Sequence, residues 1–496
     1  VEVTLQQGNH RESDRESKSK QYKVLPIMIS LLISGFIGMF SETALNIAIS
    51  DLMQVLHITA PTAQWLTTGY LLTLGILVPV SGLLLQWFTT RQLFIASLSF
   101  SIVGTLVAAM APSFEVLLIA RVFQAAGTGL LLPLMFNTIL IIFPPDKRGA
   151  AMGIIGLVIM FAPAIGPTIA GLLIEHLTWH WIFWLSLPFL LLALVFGILF
   201  MQNVSTLTKP RIDMLSILLS TVGFGGIVFG FSKAGEGTEG WGNPIVIAAI
   251  AIGLISLLIF SLRQLRMKQP MMNLRVFKYP MFVIGLLMVF FCMMIILSSM
   301  LILPLYLQNG MGLSAFTAGL LLLPGGILNG FMSPLMGSLF DKYGPRWLVI
   351  PGLVLVAAAL WFLSGITTAS TLALIISLHS CMMVGISMVW MPAQTNGLNQ
   401  LPPDLYPDGT AVMNTLQQVA GAIGTAVAVS ILSNGMSDYL GSSANPLDPA
   451  EVTSAMTIGS QNAFLFAMIV TLAGLAVAFF IRRVIVSKSA SRASMH

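Results

Sequence analysis

Charge is what this chain of 496 residues has least of: Asp, Glu, Lys and Arg make up 8% of it, against 56% apolar residues. That polar complement is too small to clothe a set of water-soluble domains, so these are excluded as the main body of the protein. Cysteine is nearly missing as well. Cys292 and Cys381 both fall inside apolar runs, which argues against a disulfide framework or a metal site and for two small core residues. No G-x-x-x-x-G-K-[ST] loop is present to cradle nucleotide phosphates, no G-x-S-x-G, and no paired His/Glu motif within the apolar runs. A self-contained ATPase and an intramembrane hydrolase both lack their chemistry here, so the chain does not read as an enzyme and implies no cofactor or metal.

What is present is apolar sequence in repeated blocks. Stretches of about 20 residues, each able to cross a hydrocarbon core of about 30 Å, recur from Leu25 to Ile481. Polar and Pro/Gly breaks divide them into fourteen spans at 25–48, 62–85, 92–111, 115–142, 149–173, 180–201, 213–232, 244–262, 281–307, 314–339, 347–366, 371–393, 409–433 and 462–483. The fold class is therefore an all-α polytopic membrane protein. The polar residues before Leu25 lead into a run too long for a removable leader and without a small-residue cleavage site, so the first span is read as uncleaved.

The placement of Lys and Arg tests that count, because a missed helix would scramble their alternation between sides. Five precede the first span, and the loops after spans 2, 4, 6, 8 and 10 hold Arg91; Lys147 and Arg148; Lys209 and Arg211; Arg263, Arg266, Lys268, Arg275 and Lys278; Lys342 and Arg346. Arg482, Arg483, Lys488 and Arg492 follow the last span, whereas the opposite loops hold only Lys233. The loop after span 12, with Asp404 and Asp408, is silent. Both termini are expected on the cytoplasmic side. The basic surplus is a topological signature, not a nucleic-acid surface.

The chain also repeats itself. "GLLLQWFTTRQL" from Gly82 matches "GSLFDKYGPRWL" from Gly337 at an offset of 255 residues, and the spans that begin near Pro26 and Met281 share that offset. "LPLMFNTILIIFPP" matches "MPAQTNGLNQLPP", pairing Asn137 with Asn396. Spans 1–6 and 9–14 thus read as two copies of a six-helix unit with spans 7 and 8 inserted between them. The expected organisation is a tail at 1–24, a first bundle at 25–201, two linker helices at 202–268, a second bundle at 269–484 and a tail at 485–496.

Two charges stand inside the apolar runs. "RVFQAAGTG" carries Arg121 in span 4, where an arginine costs at least about 2.5 kcal/mol unless it faces a wet cavity or the bundle interior. "MFSETALNIAI" carries Glu42 in span 1. Each lies about six residues, or roughly 9 Å, from the outer face, so they sit at matching depth and an acid is available for Arg121. A dry setting favours the neutral acid while a guanidinium favours the carboxylate, so small changes in wetting move such a group between the two forms. That is what a proton carrier needs; a permanent ion pair is the alternative. Asn46 lies one turn along from Glu42.

Through these residues and the motifs that follow, the chain resembles the major facilitator superfamily, in the fourteen-helix drug:proton antiporter branch typified by EmrB and QacA, and within it the lincomycin-resistance exporters of Gram-positive bacteria. The "G-x-L-x-D-R-x-G-R" loop motif matches at Gly337, Asp341, Lys342, Gly344 and Arg346. In the first copy only Gly82 and Arg91 remain, with Gln86 where the aspartate belongs and Thr89 where the glycine does. Arg121, Gln124 and Gly127 resemble "R-x-x-Q-x-x-G", and Gly153, Gly166, Pro167 and Gly171 resemble the antiporter motif of span 5, with Pro163 and Pro167 expected to bend it.

The resemblance implies two six-helix bundles plus two inserted helices, with Glu42 and Arg121 coupling protons. It further implies Asn46, Gln124, Asn137, His379 and Asn396 at a substrate cavity, and the motif residues governing conformation. Other polar residues in the runs are Asn329, Gln308, Gln394, Asn414, Gln417 and Gln418, while Asp408 is expected to cap span 13. The expected function is proton-coupled efflux of amphiphilic drugs or antibiotics by alternating access, lincosamide-like compounds among them. A dedicated exporter of one endogenous metabolite or lipid is the alternative. The implied partners are small amphiphilic molecules, protons and the lipid bilayer of the bacterial cytoplasmic membrane; the chain is expected to act as a monomer, with the proton gradient as its energy source.

Overall fold

The computed structural model describes residues 24–484 apart from 59, 206, 210–211, 235–239, 444 and 446–447. The terminal tails, Arg211, and the side chains of Asn46 and Pro167 lie outside the described residues. Among the described residues, fourteen helices are long and apolar enough to cross a membrane. In chain order they are α1 (Val24–Val55), α2 (Ala60–Trp87), α3 (Thr90–Ala109), α4 (Phe114–Ile142), α5 (Arg148–His176), α6 (Trp181–Phe200), α7 (Met214–Ala234), α8 (Pro244–Arg266), α9 (Pro280–Leu305), α10 (Ala315–Tyr343), α11 (Arg346–Leu363), α12 (Leu372–Asn399), α13 (Tyr406–Ser442) and α14 (Pro449–Ala478).

Backbone polar groups have no water to turn to in hydrocarbon, so each span satisfies itself as a helix and the ends are capped by short side chains. Thr89 and Gln92 form a reciprocal capping box on α3, Asn243 caps α8 ahead of Pro244, and Asp448 caps α14 ahead of Pro449. Several helices outrun the apolar spans. α13 continues to Ser442 and α14 starts at Pro449, through polar sequence such as "PAEVTSAM". Hydropathy marks the membrane, whereas capping and propensity decide where a helix stops.

α1–α6 and α9–α14 form two bundles that meet along two seams, α5 on α10 and α2 on α13. The inserted pair α7 and α8 forms a hairpin whose inner helix, α7, lies along both α2 and α13. Phe224, Ile227 and Val228 of α7 pack with Val419 and Ala422 of α13. α8 turns Ile245, Ile252, Ile255 and Leu258 outward, as a lipid-facing helix does. Asp213 at the foot of α7 pairs with Arg263 at the end of α8 at 2.7 Å. That hydrogen bond first, and the Ser216 hydroxyl second, hold the Asp213 carboxyl down at about 2.

The end that carries the Lys/Arg-rich loops, here termed the basic end, is closed. Asp408 lies in the first turn of α13, buried, and it does not cap that helix as expected from sequence. Its carboxylate accepts the Asn273 N–H (2.9 Å) and so ties the segment entering α9 to α13.

Candidate functional site

Arg121 is fully buried, at 0% exposure, in the middle of the first bundle. Its guanidinium is held from several helices. Nη1 donates to the Ser41 carbonyl of α1 (2.9 Å) and to Gln124 Oε1 (3.1 Å), and Nε donates to the Leu66 carbonyl of α2 (3.4 Å). Its plane lies over the Tyr70 ring, 4.2 Å from the centroid, a cation–π contact that substitutes for lost hydration. Tyr70 in turn donates to Thr128 (2.9 Å), and Gln124 Nε2 donates to Thr105 of α3 (3.0 Å), so that α1–α4 all fix this one cation. Nη2 has no hydrogen-bond partner among the described residues.

The acid that the sequence supplied for Arg121 is near but not joined to it. Glu42 follows Ser41 directly and lies within electrostatic range of Arg121, yet among the described residues no ion pair forms between them. Carbonyls and an aromatic face take the place of the expected carboxylate. Glu42 is partly exposed, unlike Arg121. Beside it, a Cβ on Gly166 of α5 would come within 2.6 Å of Thr43 Oγ1, so this glycine allows α5 to lie against α1 at Glu42.

At the basic end the two bundles are latched. The Asp341 carboxylate, at the end of α10, accepts the Gly149 N–H (2.9 Å) and the Ala150 N–H (2.8 Å), capping the N-terminus of α5 across the seam. Gly337 faces the Gly149 carbonyl and Gly153 faces Ser333 with no room for a Cβ. Gly344 ends α10 with φ +82°, the region that favours glycine. On the other seam a Cβ at Gly82 would lie 2.9 Å from the Ala411 Cβ.

Residues 31–425 match the family model described as Major Facilitator Superfamily. The chain belongs to that superfamily. It is 72% identical over 466 residues, 94% of this chain and 97% of the relative, to the lincomycin resistance protein LmrB of Bacillus subtilis (strain 168). It is 63% identical over 464 residues, 94% and 98% of the two chains, to the protein of the same name in Listeria monocytogenes. The probable multidrug resistance protein EmrY of Escherichia coli is 25% identical over 408 residues, 82% of this chain and 79% of that one. Among solved structures, the human organic anion transporter MFSD10 superposes with a TM-score of 0.61 at 13% identity, covering 92% of this chain and 100% of that one. The proton:xylose symporter XylE gives 0.59 at 14%, covering 89% and 94%. These two likenesses bear on the fold alone.

In this facilitator the remaining expected site residues scatter. Gln124 is buried behind Arg121 and bridges it to α3. Asn396 is buried at the basic end, where its amide binds the backbone of Arg482 and Val484. Its repeat mate Asn137 is buried, with Oδ1 unpartnered among the described residues. His379 is buried against Gly325 of α10, a contact inside the second bundle. Arg91 donates to the Ile198 carbonyl (2.7 Å) and so ties α3 to α6 without crossing a seam. Arg346 is exposed, and a Cβ at Gly171 would find ordinary contact with Phe316, at 3.7 Å. α5 runs unbroken through Pro163 and Pro167.

Two residues escaped the sequence reading of this facilitator. Arg148, counted there only as a basic loop residue, is buried and reaches across the seam from α5. Its Nη1 donates to Asn399 Oδ1 and to the Tyr406 hydroxyl (2.9 Å each), its Nε to the Phe143 carbonyl (3.0 Å), and its Nη2 to the Leu140 carbonyl. Nothing in its local sequence distinguishes it from Lys147. Tyr70 did carry a signal: one of only seven tyrosines, it interrupts an apolar run with a hydroxyl that needs a partner.

Proposed function

We propose that this facilitator is a proton-coupled exporter of amphiphilic drugs, lincosamide-like compounds among them, working by alternating access in the bacterial cytoplasmic membrane. On this reading the basic end and both termini are cytoplasmic, 25–201 and 269–484 are the two moving halves, and one chain suffices for the cycle. The relatives named for lincomycin and multidrug resistance support the substrate class.

The reading rests on Glu42. An acid that is partly exposed, adjacent in sequence to the Ser41 carbonyl that holds Arg121, and within electrostatic range of a guanidinium with a spare N–H can switch between two arrangements. As a carboxylate it is drawn to the free Nη2–H of Arg121. A proton taken from the outer side neutralises it and frees it from that attraction, and the proton leaves on the inner side when the substrate site next loads. One elementary charge moving through 100 mV supplies about 2.3 kcal/mol, which sustains roughly a 50-fold gradient without ATP.

The test is Glu42→Gln in inverted membrane vesicles, with proton release followed as drug is added. The expected result is loss of drug-induced release while drug binding persists. Undiminished release would remove Glu42 from the coupling role.

A further inference from the structure

We propose that Arg482–Val484, in the segment that follows the last helix, form a clasp that positions the Asp341 latch, with Arg483 as its positioning residue. Arg483 Nη2 donates to the Asp341 carbonyl at 2.6 Å and Nη1 to the Lys342 carbonyl at 3.2 Å, meeting two carbonyls that α10 leaves free at its end. The stem of the same side chain lies over Gly344, where an added Cβ would come within 3.0 Å of Arg483 Cδ. The backbone on either side of Arg483 is pinned by one buried amide. Asn396 Nδ2 donates to the Arg482 carbonyl (3.0 Å), and its Oδ1 accepts the Val484 N–H (3.1 Å). Arg483 is thus fixed at both shoulders, and its head grips the backbone of the residue whose carboxylate caps α5.

The other half supplies an independent parallel. Gln86 occupies the repeat position of Asp341, and its carbonyl is also taken by the segment that follows the sixth helix, from the N–H groups of Thr208 and Lys209 (3.2 Å each). Each half therefore grips the same turn carbonyl with the chain that leaves its bundle. Only in the second half does that turn carry an aspartate reaching across the seam; the Gln86 amide is used locally, by Thr208 and the Gly82 carbonyl. The clasp makes the end of α10, its turn and the exit from α14 one rigid body, so the carboxylate meets Gly149 and Ala150 without first having to be ordered.

The inference rests on the alternating-access reading, in which the α5–α10 seam opens during the cycle. The test is thiol labelling of Ser333→Cys, a buried α10 position facing Gly153 and Gly156, in purified full-length protein in lipid nanodiscs with Cys381→Ser. Arg483→Ala and Asn396→Ala should each speed labelling about fivefold, a change on the order of 1 kcal/mol. Arg483→Lys should restore part of the protection, and Asp341→Asn should label fastest. A second reporter, Thr457→Cys in α14 at the opposite end of the second half, should keep its parental rate. Parental labelling at Ser333→Cys in both clasp variants, with Asp341→Asn fast, overturns the clasp and leaves the seam intact. Slow labelling in Asp341→Asn as well removes the opening seam itself, and faster labelling at Thr457→Cys overturns the clasp in favour of general loosening.

Discussion

Gly337→Ala gives the sharpest test of the seam. A Cβ at position 337 falls onto the Gly149 carbonyl, and the next glycine along the facing helix, Gly153, meets the Ser333 carbonyl in the same way. Both obstacles are backbone, so no side chain can rotate aside and the helices must separate by about 1 Å. Overpacking of this kind costs about 1–3 kcal/mol. The cost falls on the state closed at the basic end alone, because the pair is apart when that end opens. The population should then shift by about 5- to 150-fold away from closure, and the Asp341 bonds to Gly149 and Ala150, now 2.9 and 2.8 Å, should lengthen. Spin labels at the exposed positions Lys147 and Ser338 report the separation across the seam, and drug export is measured in parallel. A distance distribution and an export rate both equal to the parent's would refute the steric reasoning.

Arg121→Lys keeps the charge but loses the planar fork that serves Ser41, Leu66 and Gln124 while stacking on Tyr70. Drug-coupled proton movement should be lost and thermal stability should fall by about 1–3 kcal/mol, read by vesicle assay and by melting in detergent. Arg148→Ala strands the Asn399 and Tyr406 partners inside the closed basic end. At matched expression it should reduce drug resistance severalfold and raise the reactivity of seam cysteines. Asp213 is held below its ordinary 3.8, so the stability it lends the α7–α8 hairpin is full above pH 4 and is lost as pH falls toward 2. The melting difference between parent and Asp213→Asn should be constant from pH 5 to 8, smaller than about 1 kcal/mol because the pair sits at the water boundary, and should vanish near pH 2.

The fourteen helices were legible because hydropathy and the alternation of Lys and Arg both record the membrane directly. The repeat was legible because Gly82 and Arg91 recur as Gly337 and Arg346 at one offset of 255 residues, on either side of a turn between helices. Helix ends were less so: α13 and α14 run on through polar sequence, which a hydropathy reading cuts short. The site divided the same way. Arg121 and Glu42 stood out because a charge in hydrocarbon needs a reason. Their lack of a direct ion pair did not, because it depends on carbonyls and on the Tyr70 face, which no side-chain inventory reveals. Asn396 was placed at a cavity by the family resemblance, and only the return of the chain after α14 shows what its amide holds. Arg148 was hidden for a related reason: a basic residue at the end of a loop looks alike whether it faces water or another bundle.

The inserted hairpin has a mechanical consequence. α7 meets α2 about midway along its length, where Val228 fills the space at Gly75, and meets α13 in its first half through Val419 and Ala422. When two bodies rock against each other, their ends travel far and their middles hardly at all. The same hairpin is also tied away from the middle, by Phe229 against Trp65 of α2 and by Trp241 donating to Ser430 of α13, so it follows such a swing only as far as those outer contacts slide or part.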